Sequence, residues 1–206
     1  MGSDDLGVAT ADAPGGAPRR LIRRALERVD TSYREHFELR PVGPLLYLGL
    51  ERHEGAACPL YDGTRLETGG WIGRLHFNNA QAANLQASSR LQAGVRFARL
   101  LRDSLDELAD RARHDARMRE VAVYEGITWL REHGAAVGFE AQPLPSGFRR
   151  WLLGAHFRLL IWTFAPAARA AAMADVAPSR FRITRQALIR HFGVRDTRRR
   201  VRPGTT

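Results

Sequence analysis

The chain contains no lysine: all 32 of its basic residues are arginine, set against 22 acidic residues for a net charge of +10. That absence excludes Schiff-base chemistry, a lysine general base and a phosphate loop of the Walker type, all of which need the lysine ammonium. Cysteine is nearly absent too. A lone Cys58 excludes an intrachain disulfide and a cysteine-cluster zinc site, and it fits a reducing compartment. There is no run of about 18 uncharged apolar residues, so no membrane-spanning helix is expected. The longest apolar stretch, Leu159 to Ala168, comes after Arg158. Met1 to Pro18 carries Asp4, Asp5 and Asp12 and no arginine, so it lacks the positive start of a secretory signal. The expectation is a cytoplasmic protein. No cofactor motif and no metal-ligand spacing is visible, and nothing repeats at a fixed period.

What is present suffices for a packed domain: 206 residues, of which 44% are hydrophobic. The expected division is a disordered acidic tail over 1–18, one domain over 19–194 and a disordered basic tail over 195–206. Arg19 to Phe37 places Leu21, Ile22, Ala25, Leu26 and Val29 at helical spacing beneath a very basic face. Pro41 and Pro44 break that pattern, and Leu45 to Leu50 reads as a buried strand. Gly55 to Pro59 reads as a loop, and Asp62-Gly63 as a hairpin turn. Trp71 to Phe77 alternates as a strand, and Asn78 or Asn79 caps the next element. Ala80 to Ala87 reads as a short helix. Leu91, Val95, Ala98, Leu101, Leu105, Leu108 and Ala112 mark a helix of about 25 residues, with Ser88 or Ser89 as its cap.

Further along, Val121 to Tyr124 reads as a strand, Ile127 to His133 as helical turns closed by Gly134, and Gly138 to Gln142 as a strand. Phe148 to Phe164 reads as an apolar helix ended by Pro166. Arg180 to Ile183 is a last strand, and Thr184 caps a last helix, Arg185 to Phe192, stopped by Gly193. Strands with hairpin-like neighbours beside helices imply an α+β fold: a small, mostly antiparallel sheet packed by several helices, one of them long and amphipathic.

Six features bear on chemistry. Leu75-His76-Phe77-Asn78-Asn79 puts a histidine and two amides at a strand end. His76 there can orient a ligand or act as general base; the plainer reading is a structural histidine beside a cap. His53, Asp62 and His76 form a constellation if their strands pair. Glu125 is a second acid–base candidate at what reads as a strand-to-helix junction, where a helix-initiating acid is the plainer reading. Arg149 and Arg150 open the Phe148 helix, which is either a core helix, the better reading, or an interfacial membrane helix. Arg180 to His191, with arginines and Gln186, loosely resembles the start of a nucleic-acid recognition helix. Gly134 to Phe139 has the look of the second half of an acetyltransferase, but Arg90 to Val95 lacks the spacing of that fold's phosphate loop.

Taken in order, Leu45 to Leu50, Tyr61-Asp62-Gly63 and Gly69-Gly70-Trp71-Ile72-Gly73-Arg74-Leu75-His76-Phe77-Asn78-Asn79 resemble the YkoP-like domain family. Ile127-Thr128, Gly138-Phe139 and Ile183-Thr184-Arg185 with Ala187-Leu188 fit its later blocks. The chain departs from the family at Gly70 and Arg74, where an acid is common. The resemblance implies an uncharacterised bacterial domain found beside polysaccharide deacetylases and glycosyltransferases, hence a role near envelope glycan or glycolipid metabolism. His76, Asn78 and Asn79 carry over as site residues of unassigned role. The leading expectation is an accessory domain that binds an anionic glycan or lipid at the inner membrane face. Its ligand contacts would be Asp62, His76, Asn78, Asn79, Arg149 and Arg150. The alternatives are a nucleic-acid-binding protein and an envelope-modifying hydrolase or transferase using His76. Oligomeric state is not legible.

Overall fold

The computed structural model describes residues 16–83, 90–128, 138–164 and 177–193. The expected tails, Ser88, Ser89, the turns after Thr128 and Pro166 lie outside the described residues, except that residues 16–18 and 194 fall on the other side of those boundaries from the expected tails. In chain order the elements are α1 (Gly16–His36), β1 (Arg40–Val42), β2 (Leu46–Arg52), β3 (Cys58–Pro59), β4 (Arg65–Leu66), β5 (Trp71–Phe77), α2 (Asn79–Ala83) and α3 (Arg90–His114). After a short 3-10 turn come β6 (Val121–Thr128), β7 (Glu140–Pro143), α4 (Phe148–Phe164), β8 (Ser179–Thr184) and α5 (Arg185–His191). The fold is α+β: a six-stranded sheet in the order β1-β2-β5-β6-β8-β7, with β3 and β4 as a separate hairpin.

One expectation fails: Cys58-Pro59 forms β3 rather than loop. The helix α1 ends before Pro41, and Pro41 itself lies inside β1. Both are short outer strands, where the missing proline N–H costs no ladder bond. The turn residues behave as read. Gly63 takes a positive φ of 84°, and Thr64 donates its backbone N–H to Asp62 Oδ1 at 3.0 Å. Thr184 accepts a bond from the Ala187 N–H and so starts α5.

All neighbouring strands are antiparallel except β5 and β6. Their parallel seam runs from Trp71 opposite Val121 to Leu75 opposite Gly126. Beyond it, His76 and Phe77 pair with β2, while Ile127 and Thr128 pair with β8. The seam therefore opens at its carboxyl end. Ile127 and Thr128 are strand residues, not the start of a helix, because β8 continues the ladder along them.

The two faces of the sheet differ in kind. One presents Leu46, Leu48, Leu75, Phe77, Tyr124 and Ile183 to Leu105, Leu108, Ala109 and Ala112 of α3 and to Leu188 of α5. The amino half of α3 shares less in this core: Leu101 packs against it and Phe97 meets the Phe77 ring, but Val95 is exposed. On the opposite face the β3–β4 hairpin covers Ile72 and Val123 with Leu60 and Leu66. The rest of that face is polar, and α1 and α4 lie against each other. Only Leu26 of the apolar stripe of α1 is buried, whereas Leu21 and Val29 are exposed. Over Phe148–Leu160, α4 is not enclosed as a core helix would be: it buries Gly154, Phe157 and Leu160 and exposes Phe148, Trp151, Leu152 and Leu159.

Candidate functional site

His76 ends β5 opposite Tyr47 of β2, on the polar face. Its Nε2 lies 2.9 Å from Oδ1 of Asp30, which α1 delivers from 46 residues earlier. The Asn79 side-chain amide donates to the same oxygen at 3.0 Å, and Arg34 Nε stands 3.2 Å from the other. Arg34 also donates to the Tyr47 hydroxyl at 2.8 Å. The Tyr33 ring lies over the imidazole, 5.1 Å between centroids. Burial works to raise the Asp30 pKa, but the His76 bond and charge, Arg34 and Asn79 overcome it and hold the carboxyl below its ordinary value. Asp30 is thus a carboxylate near neutrality and can only accept. Nε2 of His76 therefore carries a proton, and Nδ1 is the ring nitrogen that Asp30 does not engage. His156 of α4 is pushed down, first by burial and then by the nearby His76 charge, so it stays neutral.

Asn78 spends its side chain locally. Its Oδ1 accepts from the Gln81 N–H and caps α2, and its amide donates to the Tyr47 hydroxyl at 3.4 Å. The structure therefore joins three of the expected residues, His76, Asn78 and Asn79, into one network, and adds Asp30, Arg34 and Tyr47. Asp30 was legible only as one acid on a basic helix; its i, i+4 spacing to Arg34 was the available signal.

Asp62 and His53 are not part of this network. Asp62 accepts from the Thr184 hydroxyl, at the opposite end of the strands, where Thr184 pairs with Val123. Burial raises the Asp62 pKa, but its bonds from Thr184 and Thr64 outweigh that and hold it low. His53 is buried beside the Ala56 carbonyl, past the end of β2 that pairs with Trp71. The two residues tie down loops.

Glu125 is central to β6 and 3% exposed, so it does not initiate a helix. Its partners on the adjacent strands are Arg74, at 3.1 Å, and Arg182, at 2.9 Å, with Arg180 at 3.9 Å. Arg74 also pairs with Glu51. This ionic cluster continues the polar face one step along from His76. Of the α4 arginines, Arg149 is exposed, while Arg150 donates to the Leu144 carbonyl at 3.3 Å. Two arginines of the segment that resembles a recognition helix are engaged internally: Arg182 is buried in β8, and Arg185 makes two bonds to the Ala112 carbonyl. Among the described residues no cluster of His, Cys, Asp and Glu is arranged to hold a metal, and no helix is long and apolar enough to cross a membrane.

Comparison with known proteins gives one finding. A family model described as the YkoP domain matches residues 19–192. No curated protein and no solved structure matches the chain.

Proposed function

The chain belongs to the YkoP domain family, and from that premise we propose that it is an accessory protein that binds an anionic envelope glycan or glycolipid at a membrane face. The observation that carries this reading is the start of α4. Phe148 and Trp151 stack at 5.8 Å while remaining 75% and 63% exposed, beside exposed Leu152 and Arg149. A helix that buries one edge and offers aromatics with arginine on the other suits an interfacial position over anionic lipid. Leu21 and Val29 of α1 add exposed apolar surface to this part of the molecule. The polar network around His76 would then meet a headgroup or its glycan. In co-sedimentation with anionic vesicles, Trp151→Ala/Arg149→Ala is expected to bind about tenfold more weakly than the parent, the combined loss of one aromatic anchor and one surface charge. Unchanged sedimentation of the folded variant removes the membrane reading.

A second reading is favoured by the Asp30–His76 pair. A histidine oriented by a carboxylate, with its other ring nitrogen left over, is the arrangement that removes a proton from an acceptor hydroxyl or amine during group transfer. It stands where the parallel seam opens, a position at which sheets of mixed direction bind ligands. Acyl thioesters are one donor class for such a transfer, and a coenzyme A thioester serves as the probe. Thiol release from an acyl-coenzyme A, with a glycan acceptor present, is expected from the parent and abolished by His76→Ala. Asp30→Asn, which loses the orienting charge, should retain only a small residue of the rate. No release by the parent, or full release by His76→Ala, sinks this reading.

A further inference from the structure

We propose that Arg74, Arg149 and Arg180 form a binding site for a phosphate group on the polar face of the sheet, beside the opening of the parallel seam. The assignment of that phosphate to a glycolipid rests on the membrane reading above; the site itself does not.

The charges around Glu125 lean positive. Arg74, Arg149 and Arg182 all repel Arg180 there, and these four arginines face the three carboxylates of Glu125, Glu51 and Glu140. Glu140, the next acid on this face, spends one oxygen on the Gln142 amide and the other on the Tyr61 N–H. Arg182 is fully used: it is 4% exposed and bonds Glu125, Gln142 and the Cys58 sulfur. Arg180 is not. Its Nε is buried with no hydrogen-bond partner, and the Glu125 oxygen near it lies 3.9 Å away, beyond bonding distance. Burial is the largest cause that lowers the Arg180 pKa; Glu125 pulls it up, Arg182, Arg74 and Arg149 push it down, and the net result is a lowered value.

A buried guanidinium N–H left unsatisfied among like charges is costly, and nothing in the packing of the described residues offsets it. A tetrahedral oxyanion would. It would accept from Arg180 and add the negative charge the group lacks, and arginine matches phosphate oxygens through paired N–H bonds. Solvent reaches the place: the side chains of Arg74 and Arg180 are 23% and 28% exposed. Arg180 pairs with Ile127, the first β6 residue past the seam, so a phosphate bound here would lie beside the opening.

The test is thermal unfolding of the full chain with inorganic phosphate, at ionic strength matched with chloride. The parent is expected to show a saturable rise in Tm. Arg180→Gln should weaken the phosphate Kd at least about tenfold, roughly the loss of one charged hydrogen bond. Without phosphate the same variant should be as stable as the parent or more so, since it relieves repulsion. Glu51→Gln releases Arg74 and should tighten phosphate binding. Arg65→Gln, which removes an exposed charge paired with Glu67 on the hairpin, should change nothing. No saturable rise in the parent, or an unaltered Kd in Arg180→Gln, overturns the site. A vesicle arm separates the sources. Loss of preference for phosphatidic acid over phosphatidylglycerol in Arg180→Gln assigns the phosphate to a lipid headgroup. Vesicle binding unaffected by that change, with solution phosphate binding lost, assigns it to a soluble ligand. Vesicle binding without any phosphate effect rejects the site and leaves the membrane reading standing.

Discussion

Glu125→Ala lowers the unfolding free energy by about 3–5 kcal/mol, the cost of breaking a buried ion pair and leaving its partner charged. Glu125 and Arg182 are each almost wholly buried and bond at 2.9 Å, and Arg74 approaches the other carboxylate oxygen at 3.1 Å. With the carboxylate gone, Arg182 keeps a charge in the middle of the sheet with only Gln142 and Cys58 to receive its N–H groups. Arg74 retains Glu51, and Arg180 loses the one carboxylate that opposed its repulsion. Urea unfolding checks the value. Because the partners act as a unit, the double change Glu125→Ala/Arg182→Ala should cost clearly less than the two single changes added together. Additive costs would show that the cluster is not coupled. The same experiment bears on function, since a chain carrying Glu125→Ala exposes how much of the polar face is held for binding rather than for folding.

Gly43→Ala should cost about 2–4 kcal/mol, combining a strained backbone with overpacking. Gly43 turns the chain between β1 and β2 with φ of +60°, a conformation that residues with a Cβ adopt at a penalty. A Cβ there would stand 2.5 Å from the Ser104 Cα, so the clash is with the backbone of α3 rather than with a movable side-chain tip. Ser104 is the residue that docks this corner. Its hydroxyl accepts from the Leu45 N–H at 2.9 Å and donates to the Leu100 carbonyl at 2.9 Å. Pushing α3 outward would break the Leu45–Ser104 bond, while the bond to Leu100 moves with the helix, and would open the core around Leu105 and Leu108. Gly63→Ala, at a positive-φ turn with open space around it, provides the control and should cost only the backbone share. Equal losses at the two glycines would show that packing against Ser104 contributes nothing.

The range of the forces involved sets how much of the fold was legible. Helix periodicity and strand alternation are local, and α3, β5, α4, β8 and α5 lie where the spacing of apolar residues placed them. The Asp-Gly turn, the Asn78 cap and the Thr184 cap are equally local, since each is a side chain bonding its own neighbours. The failures are positions where a partner from elsewhere in the chain overrides local preference. Ile127 and Thr128 stay extended because β8 pairs with them. Pro59 tolerates a strand because β3 belongs to a hairpin of two short strands. Phe148 to Phe164 is apolar on most sides, which suggests a core, yet over Phe148–Leu160 it buries Gly154, Phe157 and Leu160 and leaves Phe148, Trp151, Leu152 and Leu159 exposed.

The candidate site divides in the same way. By itself the sequence determined an arginine-only, lysine-free domain with a histidine and two amides at the end of one strand. It also carried enough of a block pattern to show the family. Only the tertiary structure decided that Asp30 reaches His76, that Asp62 and His53 belong to the far end of the sheet, and that Glu125 sits among three arginines. Those partners lie on different elements. Which of them meet depends on strand order and on how α1 and α4 cross the polar face, a matter of packing that no local spacing encodes.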